Sequence, residues 1–195
     1  MGLIIGLLGG VASGKSTVAR LMAQRGLLHV DADVLASEVV QEPSIRRALA
    51  AQFGEDIFGE TGTLDRPLLA KRAFASDSAT ETLNALVHPT VRKRIERALE
   101  DAGSRPVVLD APLLFDSPLA QRVTTWVFLE VEAEARDVRA AERGWAPEER
   151  ARRETRQASL ADKRASADHV LENNGKIEDL GERVDALLRQ LGVPS

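Results

Sequence analysis

The chain contains no cysteine, so no disulfide can staple it and no thiolate can hold a metal; a reducing cytoplasm is the compartment that fits. Long apolar runs are missing too. None approaches the roughly 20 residues that span a bilayer, and the opening Met-Gly-Leu-Ile-Ile-Gly lacks the basic stretch of a secretory signal, so no membrane partner is expected. Positive charge is not in excess: a formal net charge of -4 provides no field for a polyanion, and 4% aromatics provide no platform for stacked bases. Nucleic acid is therefore not an expected partner, and any anion must be gripped by a local site. Internal repeats and low-complexity linkers are absent. A length of 195 residues, 44% of them hydrophobic, suits one globular domain with attached subdomains, a monomer being expected and an oligomer left open.

What is present alternates. Short apolar runs at 3–9, 27–33, 106–111, 123–131 and 168–173 lie between longer stretches with helical patterning, which argues for an α/β fold with a parallel sheet covered by helices. The stretch 88–103, "HPTVRKRIERALEDAG", is expected to start a helix at Pro89 and end it at Gly103. The interval 34–105 is too long for one crossover and reads as an inserted helical subdomain. A helical pair is expected over 132–166, broken at Gly144 and Pro147, and the tail closes with an amphipathic helix.

Residues 6–21 read "GLLGGVASGKSTVARL". Within them Gly9, Gly10, Val11, Ala12, Ser13, Gly14, Lys15 and Ser16 fit G-x-x-x-x-G-K-[ST], with an apolar strand before and a helix after. Glycines let backbone N–H groups curl around phosphate oxygens, the helix N-terminus adds its positive end, and Lys15 adds a point charge. Ser16 would offer its hydroxyl to Mg²⁺.

The second run ends in Asp31-Ala32-Asp33, where ligands of open α/β sheets bind. Both carboxylates share a face if the strand continues, and either could accept a hydroxyl proton or orient metal waters; two aspartates capping the next helix are the alternative. Asp110 ends the third run as an acid that could hold a metal water. Arg136, Arg139 and Arg143 share one helical face, and Arg150, Arg153 and Gln157 repeat the spacing. Over 134–164 there are nine Lys and Arg against seven Asp and Glu, so cationic density is local and could clamp a phosphate; solvated ion-paired faces are the alternative. His29, His88 and His169 form no pair with metal-ligand spacing and read as structural, with His88 able to touch a ligand. Trp126 reads as core and Trp145 as packing at the arginine hairpin.

Together, "GLLGGVASGKSTVA", "DADVLA", "LVHPTV", "DAPLLFD" and "QASLADKRASADHVLENNG" resemble the dephospho-CoA kinase family along nearly the whole chain. The resemblance implies a nucleoside-monophosphate-kinase-like P-loop fold with a five-stranded parallel sheet. The core would cover about 1–33, 104–131 and 167–195, the helical CoA-binding region about 34–103 and the lid about 132–166. It implies ATP- and Mg²⁺-dependent phosphorylation of the ribose 3'-hydroxyl of dephospho-CoA, the last step of coenzyme A synthesis. Residues 9 to 17, through Thr17, would bind the ATP phosphates, and Asp33 would be the base, supported by Asp31. Mg²⁺ would sit on Ser16, with Asp31 or Asp110 acting through water. Arg139 and Arg143 match lid arginines, Arg153 and Gln157 the second lid helix, and Asn173, Asn174 and Gly175 the segment near adenine. His88, Pro112 and Leu113 would contact the substrate.

Two positions depart from the family pattern. Ala12 stands where the family has glycine, which the loop accepts if residue 12 has negative φ. Asp116 stands where it has glutamate, with a shorter reach. Another small-molecule or nucleoside-monophosphate kinase is the rival enzyme reading; a nucleotide-switch module is the rival from another class, although the guanine motif N-K-x-D is absent.

Overall fold

The computed structural model describes residues 2–59, 61–155 and 157–193. They divide into two compact units, one formed by Met1–Asp31 with Leu99–Ser195 and the other by Ala32–Ala98. No helix among the described residues is long and apolar enough to cross a membrane.

The first unit is built on a parallel five-stranded sheet in the order β2-β3-β1-β4-β5, with β1 (Ile4–Gly9), β2 (Leu28–Asp31), β3 (Val107–Asp110), β4 (Thr125–Glu130) and β5 (His169–Glu172). Every residue of β1 is buried, as expected for a strand covered on both faces. It is the central strand, paired with β3 on one side and β4 on the other. The chain reverses its direction of travel across the sheet here, so the carboxyl end of β1 opens into the crevice where such folds bind ligands. Gly6 pairs with Trp126 in β4, and a Cβ on Gly6 would lie 2.5 Å from the indole ring. The small residue makes room for the large one. Trp126 also meets Phe115 edge to face at 5.8 Å.

One sheet face is covered by α1 (Lys15–Gln24) and α9 (Ile177–Gln190). Val18, Ala19 and Met22 from α1 and Leu180, Val184, Leu187 and Leu188 from α9 join Ile5, Leu7, Val108 and Val127 in the main core. Their spacing makes each helix present one apolar stripe.

Between β4 and β5 the chain forms α6 (Ala133–Glu142), α7 (Pro147–Glu154) and α8 (Leu160–Ala165), so the expected helical pair is a trio. The third helix is capped by Ser159, whose hydroxyl accepts the Asp162 N–H at 3.0 Å. Ser-x-x-Asp is a capping signal already present in the sequence.

The second unit contains α2 (Ala32–Val39), α3 (Pro43–Phe53), α4 (Arg66–Ala73) and most of α5 (Asp77–Ala102). Its core gathers Leu49, Phe53, Ile57, Leu64, Leu69 and Ala73. Pro89 does not begin a helix; it lies inside α5. Its ring removes one N–H from the ladder, and the buried positions Val87, Val91 and Ile95 carry the same face past it.

Candidate phosphate-binding site

The segment between β1 and α1 is a tight loop with positive φ at three positions. Gly9, Ala12 and Gly14 have φ of 147°, 62° and 91°. Ala12 thus violates the condition of negative φ under which its methyl is free of strain; a left-handed alanine costs about 1–2 kcal/mol because Cβ crowds the following carbonyl. The loop is held from several sides. The Ser13 N–H donates to the Gly10 carbonyl at 3.2 Å. The buried Asn173 donates through Nδ2 to the Ser13 carbonyl at 2.9 Å, and Arg139 donates to the Asn173 carbonyl at 2.7 Å. A side chain at position 14 would meet Asn173 Nδ2 at 2.5 Å, so Gly14 is required by packing as well as by φ.

Helix α1 starts directly after Gly14 with no side-chain cap among the described residues and no acid in its first turn. Its opening N–H groups and positive dipole end stay available to an anion. Ser16 is exposed there. Lys15 reaches back to the Gly10 and Gly9 carbonyls at 3.0 and 3.3 Å. Burial pushes its ammonium down to about 8; the Asp110 and Glu154 carboxylates oppose that shift, and the charges of Lys163 and Arg143 add to it. Desolvation is the main cause of the shift, and cations and carboxylates stand together around the ammonium.

Arg139, Arg143 and Asn173 line a cleft of about 280 Å³ with Ala12, Gly14 and Thr17. Asn174 lies at the same end of the sheet, its side-chain oxygen accepting the Glu132 N–H at 3.0 Å. Trp145 stacks against Arg153, whose guanidinium carbon is 4.4 Å from the ring centre, and Arg143 stands at 5.7 Å. Gln157 accepts from Lys163 at 2.7 Å. Asp116 accepts the Ala158 N–H at 3.2 Å, so its carboxylate ties down the start of α8.

The acidic positions are arranged differently from the sequence reading. Strand β2 stops at Asp31 and α2 begins at Ala32, so Asp31 and Asp33 do not share a strand face. A carboxylate in a helix's first turn is favoured by the dipole, and Asp33 occupies that turn. Asp31 instead pairs in register with Asp110 at the ends of β2 and β3. In the other unit, His88 lies within α5, where burial and the positive charge of Arg92 push its imidazole below the usual value. Pro112 and Leu113 form the turn after β3, with Leu113 exposed.

Two groups join the site unforeseen, Lys163 and Glu154, and Arg136 of the expected arginine stripe takes a specific place beside them. Lys163 is buried, and burial lowers its ammonium pKa against the pull of Asp116 and Glu154. Glu154 accepts the Val11 N–H at 3.1 Å and pairs with Arg136 and Arg150. Arg136, merely one of a stripe in the sequence, is buried against it. Their residue types carry no signal of this; only the packing of α6 and α7 onto the loop makes them part of it.

A sequence profile of the dephospho-CoA kinase family matches residues 3–179. The dephospho-CoA kinase of Bacillus licheniformis is 40% identical over 198 residues, covering 96% of each chain. That of Deinococcus radiodurans is 41% identical over 194 residues, covering 97% of this chain and 92% of the other. Among solved structures, TT1252 from Thermus thermophilus superposes with a TM-score of 0.81 at 35% identity over 97% and 98% of the two chains. A shikimate kinase from Bacteroides thetaiotaomicron, at 17% identity and a TM-score of 0.51 over 97% and 98%, shares the fold. With the phosphate loop, the parallel sheet and matches along nearly the full length all in agreement, the chain belongs to the dephospho-CoA kinase family.

Proposed function

We propose that this chain transfers the γ-phosphoryl group of ATP to the ribose 3'-hydroxyl of dephospho-CoA, giving coenzyme A and ADP. The observation that carries the reading is the anion cradle at residues 9 to 17, with its uncapped helix N-terminus and Lys15, in a chain matched by the family over 3–179. Ser13 Oγ and Arg136 Nε are buried there without hydrogen-bond partners among the described residues. A bound anion can satisfy such groups.

In-line phosphoryl transfer asks a protein mainly for positioning and charge stabilisation. The loop amides and Lys15 are read as holding the β- and γ-phosphates, with Arg139 and Arg143 beside the cleft as lid cations and Asn173 and Asn174 bounding the adenine end. Asp33 is read as the base: the 3'-oxygen forms its bond to the γ-phosphorus as the bond to ADP breaks, and the hydroxyl proton passes to the Asp33 carboxylate. Asp31, His88, Pro112 and Leu113 are read as contacts of the acceptor.

Mg²⁺ fits the donor set at this end of the sheet, since Ser16 exposes a hydroxyl and Asp110 holds a carboxylate only 6% exposed; both are hard oxygen ligands. When bound, the ion neutralises charge on the β- and γ-oxygens. The test is direct: purified chain, Mg·ATP and dephospho-CoA should give 3'-phosphorylated product by mass spectrometry and ³¹P NMR, while Lys15→Ala should not. Turnover of AMP in preference to dephospho-CoA would replace this reading with that of a nucleoside-monophosphate kinase.

A further inference from the structure

The sheet end that holds Asp110 also holds a nitrogen donor. His29 and Asp31 are two apart in β2 and leave the strand on one side. Because Asp31 is the register partner of Asp110, and His29 that of Val108, Asp110 projects from the same side. One imidazole nitrogen of His29 and one carboxylate oxygen from each aspartate all lie within 4.8 Å of one another. The three belong to the first unit, on adjacent strands whose backbone ladder fixes their spacing.

Burial makes two of these groups, Asp110 and His29, costly to place here. Asp110 is 6% exposed, and buried carboxylates are ordinarily paired or bound to metal. Lys15 supplies some compensating charge but commits its hydrogen bonds to the Gly9 and Gly10 carbonyls. His29 Nε2 is itself buried with no hydrogen-bond partner among the described residues, a position that leaves its desolvation uncompensated. A cation between the two carboxylates answers the first deficit, and coordination by a ring nitrogen supplies the third ligand. Oxygen donors alone suit Mg²⁺, whereas an added imidazole shifts preference toward first-row transition ions.

We propose that His29, Asp31 and Asp110 form a binding site for a first-row transition dication, so that this chain holds Mn²⁺ in preference to Mg²⁺. The proposal rests on reading this end of the sheet as the cation side of the phosphate site, but not on the identity of the acceptor. Affinity comes from the two carboxylates, and discrimination against Mg²⁺ comes from His29. Three protein donors would leave a bound ion able to take water or phosphate as further ligands.

The experiment uses the full chain without nucleotide, titrated with Mn²⁺ and followed by electron paramagnetic resonance, with pulsed detection of ¹⁴N coupling. One bound Mn²⁺ with imidazole coupling is expected, displaced only by a large excess of Mg²⁺. His29→Gln should lose the coupling and weaken Mn²⁺ binding by at least about tenfold, and Asp110→Asn should weaken it as much. His29→Val offers a second, apolar replacement, and the wild-type coupling reads the site without any variant. Absence of bound Mn²⁺, binding without ¹⁴N coupling, or coupling that survives both His29 variants overturns the proposal. Coenzyme A formation, measured separately with Mg²⁺, reports on the kinase reading, so either can fail alone.

Discussion

Glu154 Oε1 accepts the backbone N–H of Val11 at 3.1 Å, which places a carboxylate from α7 on an amide of the loop built for phosphate. The same carboxyl group bridges Arg136 and Arg150. A loop made to bind anions recruits one from its own chain, and the two arginines complete its coordination as they would that of a phosphate.

An entering triphosphate must therefore compete with Glu154 for the Val11 amide and the arginine pair. Glu154→Gln keeps the size and removes the charge, taking the carboxylate from Arg136 beside the cradle while Arg150 keeps its pairing with Asp137. ATP should bind more tightly, by about tenfold, the worth of one charge-assisted hydrogen bond. Calorimetric titration of ATP into both proteins checks it; equal or weaker binding by the variant means that Glu154 supports the loop instead of competing for it.

Ala12 supplies a second test. Its φ of 62° is the region where a methyl is penalised by about 1–2 kcal/mol, and glycine there gives back about 0.5–1 kcal/mol through the greater freedom of the unfolded chain. Ala12→Gly should thus stabilise the protein by about 0.5–1 kcal/mol, read as a higher urea midpoint at unchanged slope. A lower midpoint would show that the buried methyl contributes more packing than strain.

These two residues also mark what could be read beforehand. The Gly9–Ser16 spacing, the apolar runs and the order of elements are local in the chain, and periodicity exposes them. Strand β2 misled at its end because "VDAD" satisfies a strand and a helix start equally, and the choice falls to Ala32 and the residues after it. Pro89 suits a first helical turn or an interior, since the missing N–H is tolerated in one and bypassed in the other; Val87 and Val91, four apart across it, were the clue to the interior. Lys163 and Glu154 were out of reach altogether. A lysine or glutamate becomes a buried site group only through neighbours brought from α7, α8 and the loop.

Lys15 makes the site pH-sensitive. Its pKa of about 8 lies below the ordinary lysine value, so between those values the unfolded chain holds more proton than the folded one, and this residue's contribution to stability rises with pH across that window. Below about 8 the ammonium is charged at full desolvation cost. Phosphates restore its charge compensation and raise the pKa, so ATP binding at pH 8 should take up a proton fraction approaching about half. Calorimetry in two buffers of different ionisation enthalpy measures the uptake. It should vanish in Lys15→Ala, and zero uptake in the parent chain would place the titrating ammonium away from the phosphates.

The role proposed for Asp33 separates from binding by kinetics. It stands in the first turn of α2, outside the phosphate loop, so Asp33→Asn should leave the affinity for ATP nearly unchanged. If its carboxylate receives the 3'-hydroxyl proton, kcat should fall by about 10²–10⁴, with the lower end expected because a loose phosphoryl transition state moves the proton late. Asp31→Asn, at the end of β2 and in register with Asp110, should instead alter the dependence of rate on divalent cation concentration. A pair of variants with the opposite pattern, Asp33 governing the cation response and Asp31 the turnover, would exchange the two roles while leaving those of the phosphate loop and its lid unchanged.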